Sequence, residues 1–482
     1  MLQGTNVNEQ SSNSPQPQVC EHSAGTLVDL GDRMHSVKSE QASQLPAGMT
    51  FFGQFIDHDF TRNSASDKLA NPVPGSHTGT NMVTPALDLS SVYNAGGLND
   101  QLGIDLQTGK FLLTQVEGES SWQDNSFDLP RVAEGMEAGK ALIPDFRNDS
   151  SLLIAQLHVQ FLRLHNMVVD HHLSQHPAMH NNPNRLFELA KTQVTACYRR
   201  MVRTDFLWRV LHKPIYQAFF EQPQPYAFLG MDGPVFYAGE TLPNELTAAA
   251  FRFGHSVVKQ AYQINDEARL SLMELFQWTG GHNLKSQHLP ANLVVDWHSM
   301  LDLTQLGRVQ MALAASPAMS IELPMGDWPA NRLAIRNLVR GQSMSLPSGQ
   351  SVTRALCHKS SRLQSIIGEY GPVETNPWVQ IKSSSDNTPE LLLNGLLASS
   401  DIATNSPLWY YLLCEAHSAS RNYSKLLGPV ASYIVAECFY HLLNTSTDEE
   451  ITNGPIHDDP LSDISTLSEM IKLTQSNPRK AS

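Results

Sequence analysis

"SSLLIAQLHVQFLRLHNMVVDHHL", residues 150–173, is the stretch that sets the fold class. Leu153, Leu157, Leu164 and Val168 recur at four- and seven-residue steps, the repeat of one helical stripe. Helical patterns return in "RLFELAKTQVTACYRRMVRTDFLWRVL", "PLWYYLLCEAHSAS" and "PVASYIVAECFYHLL". Pro and Gly punctuate the gaps between them, as in "LPSGQ" and "LLGPV". Alternating strand patterns are scarce, and no repeat of solenoid length is visible. The sequence predicts a mainly α protein with few short strands and one large domain.

Composition sets the outer bounds. The chain has 482 residues, 41% hydrophobic and 17% charged, so it can bury a large core. A formal charge of −14 argues against a nucleic-acid footprint or an anionic membrane surface. Cys20, Cys197, Cys357, Cys414 and Cys438 are odd in number, widely spaced and free of CxxC pairs, which is not a disulfide framework. No apolar run approaches a membrane span. The first residues lack the basic and apolar regions of a secretory signal, so the expected location is the cytoplasm, or export by a signal outside this chain. Residues 1–45 read as a flexible lead-in, 46–443 as the domain, and 444–482 as a polar linker with a short last helix.

The chemistry begins in "FFGQFIDHDF", residues 51–60. On a helix, side chains rotate by about 100° per residue, so Gln54, Asp57 and His58 share a face while Asp59 points behind it. Alone, the Asp-His-Asp run is more often a pair of satisfied polar residues; a non-haem metal site is the sharper alternative. "TPALDLSSVY" (84–93) adds Thr84, Asp88, Ser90 and carbonyls such as that of Ala86, the hard oxygen donors that Ca²⁺ takes. Arg147 stands just ahead of the long helix, "FRFGHSVV" places Arg252 three residues before His255, and "LAIRNLVRGQ" sets Asn337 and Arg340 one turn apart. A lone core histidine such as His255 is usually structural, an iron ligand being the alternative.

Together these segments resemble the animal-type haem peroxidases of the peroxidase–cyclooxygenase superfamily, the bacterial branch most closely, from about Pro46 to Leu443. The resemblance implies haem b and Ca²⁺ as cofactors, with hydrogen peroxide and small donors (phenols, iodide, bromide or thiocyanate) as substrates. It makes His58 the distal acid–base histidine, Gln54 its neighbour, Arg147 the distal arginine and His255 the proximal iron ligand. Asn337 would bond His255, Arg252 and Arg340 would hold the haem propionates, and Asp57 matches the residue that esterifies a haem methyl group. Asp59, Thr84, Ala86, Asp88 and Ser90 match the calcium ligands. Ser150 and Ser151 stand where many relatives carry further haem-linked residues, so at most one ester, through Asp57, is implied. A fatty-acid oxygenase would need a tyrosine where this chain has Arg252. An HD-type phosphohydrolase and a catalytically silent adhesive protein are the remaining rivals. His158 and His165 are expected in the core, and His171 and His172 at a solvated helix end.

Overall fold

The computed structural model describes residues 17–36, 41–61, 86–93, 102–116, 126–239, 241–280, 289–304, 309–323, 327–369, 401–423, 426–444 and 458–476. The longer helices are α1 (Ala24–Ser36), α2 (Ala47–Phe60), α3 (Leu152–Gln175), α4 (Pro183–Met201), α5 (Leu333–Ser343), α6 (Gly349–Lys359), α7 (Leu408–Tyr423), α8 (Pro429–Asn444) and α9 (Leu467–Ser476). The sheet content among the described residues is four antiparallel two-stranded pairs. One of these joins Ala42–Pro46 to Met311–Leu313 and so fixes the entry into α2. The mainly α expectation holds. No helix of the described residues is long and apolar enough to cross a membrane.

A single apolar core runs from Leu27 of α1 to Ile471 of α9. Helix α3 lies at its centre. Leu153, Leu157, Leu164 and Val168 are fully buried, but so are Ile154 and Phe161 on other sides, so the helix is enclosed nearly all round rather than along one stripe. Enclosure extends to its polar residues. His165 bonds the Tyr93 hydroxyl at 3.1 Å and the Gly109 carbonyl at 2.9 Å, as a satisfied core histidine should. His172 departs from expectation: it is buried, with Nε2 2.8 Å from Gln193 Oε1, because α4 and the segment around Asp458 cover that end of α3.

Helix α2 crosses α3 through Phe55, stacked on Phe161 with centroids 4.8 Å apart, and reaches α4 through the Phe52–Tyr198 edge contact. A Cβ on Gly53 would stand 2.9 Å from the Phe206 ring, so this position needs glycine for the helix to pack as closely as it does. Both ends of the chain add to the core. Leu30 and Met34 of α1 are buried, and Gly31 meets Ile335 of α5 closely. At the other end, Thr474 of α9 donates to Gln160 of α3 at 2.7 Å and accepts from Arg163. All five cysteines are free thiols, as their spacing implied.

Candidate active site

Helix α2 distributes its ionisable residues as the helical rotation requires. Asp59 is wholly buried and turns to the loop at Ala86–Ser91, while Gln54 and Asp57 stay half-buried on another side. His58 is buried beside them, and its Nδ1 lies 2.8 Å from Oδ1 of Asn148. Nδ2 of the same amide lies 3.0 Å from Nδ1 of His158 on α3. An amide oxygen only accepts and an amide nitrogen only donates, so His58 carries its proton on Nδ1 and His158 carries its own on Nε2. The His58 Nε2 lone pair is thereby left free, with no partner among the described residues. Burial, and then the Arg147 charge, push the His58 pKa below its ordinary value; burial takes His158 to about 3.

Arg147 sits in the short 3₁₀ turn Phe146–Asp149, capped by Asp145. Its guanidinium is held by Asp145, with Nη2 2.6 Å from Oδ2, and it donates to the His58 carbonyl at 2.8 Å. The arginine is therefore tied to the last turn of α2 and fixed in place by a buried carboxylate. Ser150 donates to the Arg147 carbonyl at 2.7 Å, which occupies its hydroxyl within the turn.

The opposite wall is the 3₁₀ segment Ala250–Ser256 with α5. His255 places Nδ1 3.0 Å from Nδ2 and 3.2 Å from Oδ1 of Asn337. Asn337 Nδ2 donates one hydrogen to the Leu333 carbonyl at 2.9 Å, and the amide holds His255 by Nδ1, which turns the ring's Nε2 away from it. Burial, then Arg252, lower His255 to about 4. Arg252 donates to the Thr247 carbonyl at 2.8 Å and to Asn337 Oδ1 at 3.4 Å; burial and the Arg340 charge bring it down to about 10. Arg340 is lowered by burial, and its Nε is buried without a partner. Arg336, which the sequence reading passed over, joins this positive group as a charge felt by both Arg252 and His255.

Asp57 links the two walls. Its carboxylate acts electrostatically on His58, on His255, on Arg252 and on Arg340. Phe60 of α2 also meets Phe251 edge to face at 5.2 Å, which joins the His58 helix to the His255 turn. Haem fits these residues: a histidine with its Nε2 turned away from its amide partner, two guanidiniums facing one carboxylate, and a buried guanidinium nitrogen lacking an acceptor all suit an iron porphyrin with two propionates.

Behind α2, Asp59 accepts from the backbone N–H of Leu89 at 3.1 Å and of Ser91 at 3.4 Å. The Ser90 hydroxyl stands 3.5 Å from both Asp59 O and Oδ1, and Asp88 is near enough to help burial push Asp59 up to about 8. Two carboxylates, a hydroxyl and a carbonyl converging in a buried corner suit a hard cation. Ala86, Asp88 and Ser90 belong to this loop; Thr84 lies outside the described residues. Among the described residues no group of three His, Cys, Asp or Glu side chains is placed to hold a metal, so the phosphohydrolase reading gains nothing here.

Against known proteins, a sequence model of the animal haem peroxidases matches residues 68–322. That span holds Arg147 and His255 and begins after His58. A peroxidase-like protein of Margaritifera margaritifera is 27% identical over 214 residues, 42% of this chain and only 26% of that protein. Among solved structures, peroxidase A from Dictyostelium discoideum aligns with a TM-score of 0.58 at 16% identity, over 95% of this chain and 89% of that one. A fatty acid alpha-dioxygenase from Oryza sativa aligns with a TM-score of 0.60 at 14% identity, over 95% and 79%. These structural likenesses establish the fold.

Proposed function

The chain belongs to the animal haem peroxidase family, and from that premise we propose that it is a haem-dependent peroxidase reducing hydrogen peroxide at the expense of small donors such as phenols, iodide, bromide or thiocyanate. The observation that carries this reading is the position of Asp57, within electrostatic reach of His58, His255, Arg252 and Arg340. We assign the catalytic unit to residues 46–443, with α1 and α9 packed onto it.

In this reading His255 Nε2 would hold the iron, and the Asn337 amide would fix the imidazole plane and strengthen its donor character. Arg252 and Arg340 would hold the propionates, and Asp57 would form the single ester link. Haem, when bound, supplies the redox chemistry of O–O cleavage. His58 Nε2 takes the proton from the nearer peroxide oxygen and returns it to the departing one. Arg147, immobilised by Asp145, offers a fixed positive charge to the departing oxygen, so little reorganisation is needed as charge develops. Gln54, which makes no hydrogen bond among the described residues, borders the same face and is free to orient peroxide or a halide. Calcium held by Asp59, Thr84, the Ala86 carbonyl, Asp88 and Ser90 would clamp the C-terminal turn of α2, on which His58 rides. A drift of that ring by about 1 Å would cost about a hundredfold in rate.

Arg252 stands where a fatty-acid oxygenase needs its radical tyrosine, and its guanidinium is committed to Thr247 and Asn337. That sets the oxygenase reading behind, and retained haem-site residues do the same for a silent adhesive protein. The test is an absorption spectrum of protein loaded with haem, before and after peroxide. A Soret band that shifts with peroxide and returns on adding iodide or a phenol is expected. A Soret band indifferent to peroxide, or oxygenation of a fatty acid without added peroxide, would overturn the assignment.

A further inference from the structure

Helix α8 gathers a second group of oxidisable side chains, away from the residues assigned to haem. The Tyr226 hydroxyl lies 2.7 Å from Nε2 of His441, and the Tyr237 ring lies flat on the same imidazole, with centroids 4.4 Å apart and planes 4° from parallel. Tyr237 is held there by Glu437, one turn before His441. The Glu437 carboxylate accepts the backbone N–H of Val235 at 2.8 Å, of Phe236 at 2.6 Å and of Tyr237 at 2.8 Å. Tyr226, Tyr237 and His441 are all half-buried, so the group reaches the protein surface. Burial lowers the His441 pKa, which keeps the ring neutral near pH 7; burial and the Glu437 charge raise that of Tyr226, which keeps its phenol protonated. On the inward side of α8, Phe439 stacks on Phe251 at 5.3 Å and meets Phe60 edge-on at 5.4 Å. Phe251 belongs to the turn that carries His255, and Phe60 lies two residues beyond His58.

We propose that Tyr226, with His441 as its proton acceptor, is a surface oxidation site for phenolic donors too bulky to reach the haem. The inference rests on the haem peroxidase reading above. Phe251 and Phe60 bring the two histidine segments against Phe439, and the α8 backbone from Phe439 to His441 completes the path to the second group. Peroxide-oxidised haem takes one electron from Tyr226, and the phenol proton passes to His441 Nε2, leaving a neutral phenoxyl beside an imidazolium. A bulky phenol at the surface then gives up one electron and one proton: the electron and the His441 proton restore Tyr226, and the donor's proton goes to solvent. Two such events return the two electrons that one peroxide removed. Tyr433 also has a base at hydrogen-bond distance, the Glu437 carboxylate at 2.7 Å, but its ring is wholly buried, whereas Tyr226 is half-buried and can meet a donor at the surface.

The test uses the full chain loaded with haem. Peroxide is added with a nitroso spin trap, and the adduct is located by peptide mass spectrometry. In parallel, turnover is followed with tyramine-substituted dextran as the bulky phenol and iodide as the small donor. The adduct should map to Tyr226, vanish in Tyr226→Phe and diminish in His441→Gln, which keeps an acceptor oxygen but no base. Dextran oxidation should fall about tenfold or more in both variants, while the Soret response to peroxide and iodide oxidation persist. If the Soret response occurs but the adduct lies elsewhere, or dextran oxidation survives both substitutions, the surface site is refuted and the haem reading stands. If the unaltered protein shows no Soret response to peroxide, the haem reading fails and takes this inference with it.

Discussion

Replacing Asn148 with alanine strips two buried histidines of their shared partner. The amide is wholly buried and is bonded to His58 at 2.8 Å and to His158 at 3.0 Å. Its loss leaves the His58 Nδ1–H without an acceptor and His158 Nδ1 without a donor, where His158 Nε2 is already unpartnered. Each buried orphan costs about 1–3 kcal/mol, so the variant should lose about 2–6 kcal/mol of stability before any water enters the gap. The kinetic consequence is separate. Without the amide oxygen, the tautomer that keeps His58 Nε2 as a lone pair is no longer enforced, and the ring can rotate. A displacement of about 1 Å is worth about a hundredfold in rate.

Asn148→Asp isolates the electrostatic part, since it keeps an acceptor for His58 but adds a negative charge. In the unaltered protein burial and Arg147 depress the His58 pKa below 6.5, so the imidazole stays neutral at neutral pH and charges only as pH falls through that lowered value. The rate of peroxide cleavage should therefore hold as pH falls through 6.5 and decline only below it. The aspartate favours the imidazolium, so in Asn148→Asp the decline should begin at higher pH, by about one unit or more, each unit being about 1.4 kcal/mol. Stopped-flow measurement of the Soret change on adding peroxide, across pH 4 to 8, reads both effects. An unchanged rate in Asn148→Ala together with an unmoved acid limb in Asn148→Asp would refute the argument that Asn148 orients the distal base.

Calcium removal should matter more as pH rises. In the cation-free fold Asp59 is pushed up to about 8 against 3.8 unfolded, so between those values the folded state holds a proton that the unfolded state releases, and stability falls with rising pH. Chelated protein should lose about 2–3 kcal/mol between pH 6 and 8; calcium, by replacing that proton, should flatten the trend, and a pH-independent calcium shift in thermal unfolding would reject the site. Arg340→Met should weaken haem binding by about tenfold to a hundredfold, the worth of one charged hydrogen bond, as read by haem titration; unaltered affinity would remove Arg340 from the propionate site. Mass spectrometry of denatured holoprotein should find at most one haem ester, on Asp57, and a second linkage at Ser150 would contradict its bond to the Arg147 carbonyl.

How far the sequence could be read follows from what helical periodicity encodes. It tells which side chains share a face, so the separation of Asp57 and His58 from Asp59 was legible, and Asp59 does turn to Leu89–Ser91 while Asp57 reaches the arginines. It does not tell which remote segment covers a face. His172 looked solvated because its partner Gln193 sits on another helix, and the carboxylate that holds Arg147 is evident only once the turn at Asp145 is folded. Asn148 carried no signal of its own: that it is buried between His58 and His158 emerges only when α2 and α3 pack together. Arg336 was no clearer, since one arginine four residues from another reads as a solvated helix face until both prove half-buried.

The physical demand common to these omissions is charge balance in a space shielded from water. Arg252 and Arg340 carry two positive charges that feel one carboxylate, Asp57, whereas Arg147 is matched on its own by Asp145. A fold that meant only to be stable would gain by replacing Arg340, whose Nε is buried without an acceptor, because a desolvated cation is costly. Retaining it beside Arg252 is reasonable only if anionic groups complete the site. Two propionates would supply acceptors for both guanidiniums, and this is why the arginine pair should become markedly more stable when haem binds. Unfolding followed with and without haem at one protein concentration reads that directly. If Arg340→Met stabilises the haem-free chain yet reduces the stabilisation that haem confers, the imbalance is an adaptation to the cofactor; if it leaves that increment intact, it is not.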